Sequence, residues 1–158
     1  LALVLAACSD RSPPSSESGF VPSKQTPALV VETFQGGKFD LAEHRGKWVV
    51  VNFWATWCAP CLKEIPDFNA FAKSRKDVQF IGLAYEEITR EDMSAFLKDH
   101  PIDYPFAIID VYNPPEHFET PRGLPMTVLI APGGKVSKTF LGPVTASDIE
   151  AAMSVNPR

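Results

Sequence analysis

Two cysteines separated by two residues, Cys58 and Cys61, have the residue types and the spacing for reversible disulfide chemistry. They follow an apolar, β-branched run at 49–51 that predicts a buried strand, and a helical pattern begins at Ala59. Cys58 is then expected at a helix N-terminus, with Cys61 one turn later on the same side. Backbone N–H groups and the helix dipole favour a thiolate there, which would lower the pKa of Cys58. Pro60 restricts the loop, so the pair can pass between dithiol and disulfide with little movement.

Two other interpretations of the cysteine pair are half of a zinc site and a pair of inert core cysteines. A structural zinc normally takes four protein ligands. The chain has 3 Cys and 3 His, and the histidines are scattered singly at His44, His100 and His117. This distribution favours redox chemistry over a metal site. We expect neither a metal nor a cofactor.

The stretch from Asn52 to Pro66 reads NFWATWCAPCLKEIP. Its core, FWATWCAPC, resembles the active site of the thioredoxin superfamily, and the longer pattern NFWATWCxPCxxExP resembles the TlpA/ResA/CcmG branch. The members of that branch are membrane-tethered thiol–disulfide oxidoreductases of the bacterial cell envelope. The resemblance covers residues 28–153 and implies a thioredoxin-like α/β fold.

The resemblance also implies a role for Glu64, which lies three residues after Cys61. In the family a Glu at this place helps to set the cysteine pKa values, because a nearby carboxylate raises them and can move protons. Asn52 stands where thioredoxins usually bury an Asp, and an amide cannot accept a proton. The plainer alternative for Glu64 is a solvated helix residue. In either case we expect its side chain to keep an exposed edge.

The segment Gly123-Leu124-Pro125-Met126-Thr127 precedes an apolar strand and resembles the cis-proline segment of the superfamily. That turn is expected beside the disulfide, where the Leu124 backbone can receive an incoming peptide as an extra strand. Alternatives are a simple strand-start proline at 125 and plain packing for Trp57. The predicted catalytic residues are Cys58, Cys61 and Glu64. The predicted substrate-binding residues are Trp57, Pro60, Leu124 and Pro125.

The order of apolar runs and helical patterns predicts one α/β domain over residues 28–158, with a central mixed sheet and helices on both faces. An N-terminal β-hairpin is expected at 28–40. Helices are expected at 59–75, with a kink at Pro66, and at 90–100 and 146–153. The resemblance implies that the helix and strand between about 86 and 109 are the extra helix–strand unit of the branch.

Segment 110–122 differs from the family, which usually has a short helix here. It contains Asn113-Pro114-Pro115 and Thr120-Pro121. Because prolines interrupt helices, we expect an irregular loop.

The N-terminal sequence predicts a lipid anchor. Residues 1–7 look like the end of a signal peptide, and Leu5-Ala6-Ala7-Cys8 resembles the bacterial lipoprotein box. Acyl chains on Cys8 would hold the protein on a bilayer. The Ser- and Pro-rich residues 8–27 then form a flexible tether. The alternative is an ordinary signal peptide with an incidental cysteine.

The uncharged pair Ala59-Pro60 predicts a reducing protein, because it stabilises the thiolate less than a histidine between the cysteines would. The resemblance implies reduction of disulfides in envelope proteins, notably apocytochrome c, and re-reduction by a membrane thiol electron donor. We expect a monomer in the periplasm or at the cell exterior. A net charge of −4 without a basic run gives no indication of nucleic-acid binding.

Two other activities remain open on the same fold. Two thiolates can bind Cu(I), which would make the chain a metallochaperone module. A thiol peroxidase is the second, but its nucleophile lies in a Pro-x-x-x-Thr-x-x-Cys context that residues 52–58 do not fit.

Overall fold

A computed structural model of the protein describes residues 26–155. Within these residues, seven strands and three α-helices follow one another as β1 (Val30–Glu32), β2 (Lys38–Asp40), β3 (Trp48–Trp54), α1 (Ala59–Ser74), β4 (Val78–Ala84), α2 (Arg90–Phe96), β5 (Phe106–Ile108), β6 (Met126–Ile130), β7 (Val136–Leu141) and α3 (Ala146–Val155). A 3-10 helix, Leu41–His44, follows β2. The expected signal peptide, Cys8 and almost all of the tether lie outside the described residues.

A five-stranded mixed sheet, in the order β5-β4-β3-β6-β7, forms the centre of the fold. β3 is buried at every residue and pairs in parallel with β4 and antiparallel with β6. A β-branched run buried on both faces suits such a central strand. The two cysteines follow a short turn after the carboxyl end of β3. The predicted thioredoxin-like fold is confirmed.

The predicted N-terminal hairpin is present as the antiparallel pair of β1 and β2. The turn that joins them closes one edge of the large sheet. Phe34 N–H donates to Phe106 C=O at 2.6 Å. The Gln35 side-chain amide donates to Tyr104 C=O and accepts from Phe106 N–H. The Gln35 amide therefore makes one donated and one accepted hydrogen bond, as a backbone peptide group of a neighbouring strand would. In this way it covers the edge strand β5.

The α-helices lie on one face of the sheet, whereas the sequence analysis expected them on both faces. Helices α1 and α3 contribute buried side chains, including Phe68 and Ile149, to a cluster with Val50 and Phe80. Met93 of α2 packs on the same side. The opposite face is covered by residues from the hairpin, the 3-10 helix and the 110–122 loop, namely Leu29, Phe39, Leu41 and Phe118. Prolines in segment 110–122 explain the difference, because they disfavour a helix there.

Segment 110–122 contains turns and bends but no helix or strand, as its prolines predict. Helix α2 is shorter than expected. Helix α2 ends at Phe96 and the chain continues in turns to His100. A helix continued to Pro101 would lose the N–H of that residue and bring its ring against the carbonyl of Leu97, which explains the early end. Strand β5 is limited to three residues after Pro105. Within residues 26–155, no helix has the length and apolar character that a membrane span requires.

Candidate functional site

The two cysteines lie at the N-terminus of α1 and form a disulfide, with their Cα atoms 5.3 Å apart. Cys58 is the N-cap residue, and its Sγ accepts the backbone N–H of Cys61 at 3.3 Å. Pro60 lies in the first turn, where its missing N–H costs no intrahelical bond. The geometry is therefore the one that the spacing of the cysteines predicts.

Both cysteines are buried, with Cys58 exposed by 4% and Cys61 by 1%. They belong to an apolar cluster with Trp54, Ile65, Met93 and Phe106. Trp57, directly before the first cysteine, is 70% exposed. Cys58 is thus the more exposed of the two cysteines, and the exposed indole of Trp57 belongs to the residue next to it in the chain.

The Leu124–Pro125 peptide bond is cis, as the segment predicts. Pro125 is buried and Leu124 is half-buried, and the Leu124 side chain packs against the cluster that contains both cysteines. The carbonyl of Pro125 accepts the N–H of Gly142. Within residues 26–155, neither the N–H nor the C=O of Leu124 makes a hydrogen bond to the protein. The fold thus brings the cis-proline turn to the disulfide.

Glu64 is buried rather than exposed at one edge, so that expectation was wrong. Its side chain is 5% exposed, and Oε1 accepts the backbone N–H of Val144 at 2.6 Å. Oε2 is buried without a hydrogen-bond partner among the described residues. The sequence holds a signal for this burial. Glu64 lies in the i, i+3, i+4, i+7 stripe of α1 that includes Cys61, Ile65 and Phe68.

Burial raises the pKa of Glu64 from its ordinary 4.5 to about 7. The hydrogen bond from the Val144 N–H opposes this rise in the pKa, the nearby polar side chain of Asn52 also lowers the pKa, and the negative charge of Asp67 adds a smaller rise. A groove of about 600 Å³ between α1 and the start of α3 is lined by Pro60, Glu64 and other residues of these segments. Glu64 can therefore change protonation state near neutral pH next to the cysteines.

Asn52 lies in β3 below the active-site turn and is 2% exposed. Its Nδ2 donates to the hydroxyl of Thr127, which is fully buried, at 3.0 Å. Asn52 is aligned with Gly82 on β4 and with Thr127 on β6. It lies on the same face of β3 as Val50, which packs with Phe68 of α1, so its side chain is on the α1 side of the sheet. The position is polar and neutral, as the sequence indicates.

Residues 22–140 match the AhpC/TSA family. The thiol-disulfide oxidoreductase ResA of a Bacillus cereus strain is 33% identical over 135 residues, which are 80% of this chain and 73% of that protein. ResA of Bacillus subtilis (strain 168) is 30% identical over 139 residues, or 82% of this chain and 72% of that protein. The chain belongs to the AhpC/TSA family.

A solved structure agrees with this assignment. The thiol:disulfide interchange protein of the thioredoxin family from Chlorobium tepidum TLS has a TM-score of 0.68 at 28% sequence identity, covering 82% of this chain and 92% of that one. Together with the Cys58–Cys61 disulfide, these relatives confirm that the AhpC/TSA-family chain is a thiol–disulfide oxidoreductase.

Three further polar residues, which the sequence analysis did not select as site residues, interact with the residues described above. Thr127 holds Asn52, and Glu86 accepts two hydrogen bonds from Thr56 in the active-site turn. Tyr104 is buried, and its hydroxyl has no hydrogen-bond partner within residues 26–155. Burial, and then the charge of Glu64, raise the pKa of Tyr104. The position of Glu86 after an apolar strand could have indicated a site residue, because the ends of parallel strands meet at one sheet edge.

Proposed function

We propose that the protein reduces disulfides in other proteins of the bacterial cell envelope, with Cys58 as the nucleophile. The observation that carries this proposal is the Cys58–Cys61 disulfide at the start of α1, between exposed Trp57 and the cis-proline turn. In the reduced enzyme, the Cys58 thiolate attacks one sulfur of a substrate disulfide and releases the other as a thiolate. Cys61 then attacks the Cys58 sulfur of the mixed disulfide. The substrate leaves as a dithiol and the enzyme as a disulfide.

The reducing direction follows from how few groups stabilise a thiolate at Cys58. In the part of the chain that the structure describes, its Sγ accepts one backbone hydrogen bond, from the Cys61 N–H, and the intervening Ala59 and Pro60 carry no charge. A neighbouring carboxylate at Glu64 disfavours the thiolate further. A dithiol with weakly stabilised thiolates gives up electrons readily. A thiol donor in the membrane would restore the dithiol after each turnover.

Glu64 is the proposed proton carrier of the reaction. With a pKa raised to about 7 it can take a proton from a thiol and return it to a leaving thiolate near neutral pH. Asn52 cannot do so, because an amide has no such proton equilibrium. The buried Glu64 therefore takes the acid–base role that the sequence leaves vacant at position 52.

The substrate is proposed to bind as an extended polypeptide along Leu124. The N–H and C=O of Leu124, which have no hydrogen-bond partner among residues 26–155, can pair with the residues around a substrate cysteine, as an added strand does. Pro125, Pro60 and the exposed indole of Trp57 would border that segment. Apocytochrome c, with its cysteine pair reduced before haem attachment, is one substrate of this kind.

The proposed location is the outer side of a bacterial membrane, with acyl chains on Cys8 and residues 8–27 as a tether. The support is the Leu-Ala-Ala-Cys sequence, followed by a Ser- and Pro-rich stretch that has too few apolar residues to fold. A tether of this kind would let the monomeric domain reach disulfides near the membrane surface.

The test is an insulin-reduction assay run beside a Cu(I) titration and a peroxide-consumption assay on the same preparation. We expect catalysed insulin reduction that is lost in Cys58→Ser. Tight Cu(I) binding without reductase activity would replace the proposal with a metallochaperone. Fast peroxide consumption without insulin reduction would replace it with a peroxidase.

A further inference from the structure

Glu86, two residues beyond the carboxyl end of β4, holds the turn that carries Cys58. Its Oε1 accepts the backbone N–H of Thr56 at 2.6 Å, and its Oε2 accepts the Thr56 hydroxyl at 2.9 Å. Both side chains are only partly exposed. Hydrogen bonds to a charged acceptor are stronger than those between neutral groups. Two of them from one residue hold Thr56 in a single orientation.

These bonds extend the pairing of β3 with β4 into the active-site turn. Tyr85 N–H donates to Trp54 C=O at 2.8 Å, just beyond the aligned pairs of the two strands. β3 then ends, and the carboxylate of Glu86 takes the N–H of Thr56 where a backbone carbonyl would otherwise be needed. The turn reaches Cys58 two residues later.

We propose that Glu86 is a positioning residue of the thiol–disulfide reaction: by holding Thr56 through two hydrogen bonds, it places Trp57 and the Sγ of Cys58 for attack on an incoming disulfide. The inference rests on the proposed function, in which Cys58 is the nucleophile. A misplacement of reacting atoms by about 1 Å can slow a reaction about a hundredfold. A turn without this anchor would therefore react more slowly although its cysteines are intact.

Matched variants can separate the effect of the two hydrogen bonds to Thr56 from the effect of the Glu86 charge. Glu86→Ala removes both hydrogen bonds and the charge. Glu86→Gln removes the charge but keeps both bonds, because its carbonyl oxygen accepts the Thr56 N–H and its amide donates to the hydroxyl oxygen. Glu87→Ala is the control. It removes a neighbouring carboxylate that accepts from the exposed Tyr112 hydroxyl at 3.1 Å and, within residues 26–155, makes no hydrogen bond with Thr56.

The experiment measures kcat/KM for insulin reduction, with thermal unfolding of each variant. We expect Glu86→Ala to lower kcat/KM on the order of tenfold, with Glu86→Gln and Glu87→Ala within about twofold of the wild type. Thr56→Val removes only the hydrogen bond from the Thr56 hydroxyl to Glu86. It should therefore lower kcat/KM less than Glu86→Ala does. It also serves as the test if Glu86→Ala does not fold.

Three results would overturn the inference. Wild-type kcat/KM in folded Glu86→Ala would show that the anchor is not needed. Equal losses in the Ala and Gln variants at position 86 would assign the effect to charge. An equal loss of kcat/KM in Glu87→Ala would show that the loss comes from a general destabilisation of this segment and not from the bonds to Thr56. Mixed-disulfide capture by Cys61→Ser is measured in parallel, because its absence would refute Cys58 as the nucleophile and not Glu86.

Discussion

Replacing Glu64 with Gln should change how the stability of the protein depends on pH. The prediction concerns the oxidised protein, in which the disulfide prevents Cys58 and Cys61 from titrating. Glu64 is buried, and its Oε1 accepts the N–H of Val144. Gln can keep that bond through its carbonyl oxygen and has no charge to bury. The substitution therefore isolates the ionisation of one side chain.

The size of the effect follows from the pKa of Glu64, which burial raises from 4.5 to about 7. At about 1.4 kcal/mol per pH unit, this difference in pKa corresponds to about 3 kcal/mol. The folded-state pKa is the higher one, so the folded state retains the proton after the unfolded state has lost it. The contribution to stability is complete below pH 4.5 and is lost as pH rises through about 7.

The assay is urea unfolding of oxidised wild type and Glu64→Gln between about pH 4 and pH 8. From the acid to the alkaline end of this range, the free energy of unfolding of the wild type should fall by about 3 kcal/mol relative to that of Glu64→Gln. The comparison therefore favours the variant at the alkaline end. Glu116→Gln, at an exposed loop position, is the control and should follow the wild type. A difference between wild type and Glu64→Gln that stays constant with pH would refute the buried, titrating carboxylate.

The same variant tests the acid–base role in the reduced protein. We expect Glu64→Gln to lower the apparent pKa of Cys58, measured by the rate of thiol alkylation against pH, because a negative charge that disfavours the thiolate is gone. Turnover with a folded disulfide substrate should slow. An unchanged alkylation profile would move the proton transfer to water or to the substrate.

Cys61→Ser should accumulate mixed disulfides with substrate proteins on non-reducing gels, and Cys58→Ser should not; equal capture by both would reverse the assignment of the nucleophile. In cells, Cys8→Ser should move the protein from the membrane fraction to the soluble fraction, and retention in the membrane would reject lipidation. Gly82→Ala should lower the free energy of unfolding by about 1–3 kcal/mol. Its Cβ would lie 3.0–3.3 Å from atoms of three buried side chains, those of Phe106, Trp54 and Tyr104. Gly133→Ala, in open space, is the matched control, and equal stability of the two variants would contradict the tight packing around position 82.

Short-range features of the site could be predicted because the physics that creates them is local. The spacing of Cys58 and Cys61 determines that they share one helical turn, and the fold confirms it. The proline content of segment 110–122 predicts the absence of a helix, and the structure agrees. The cis bond before Pro125 was expected from a resemblance in the surrounding residues and is present.

Other features depend on which distant segments meet, and only the tertiary structure decided them. Glu64 has a raised pKa because folding buries it between α1 and the segment just before α3, where Val144 lies 80 residues further along the chain. Glu86 reaches Thr56 across 30 residues because the parallel strands β3 and β4 end at the same edge of the sheet. The α-helices share one face, and residues of the hairpin, the 3-10 helix and the 110–122 loop cover the other. The sequence by itself thus determined the reactive pair and its chemistry, whereas burial and long-range hydrogen bonds, which exist only after folding, decided the groups that control it.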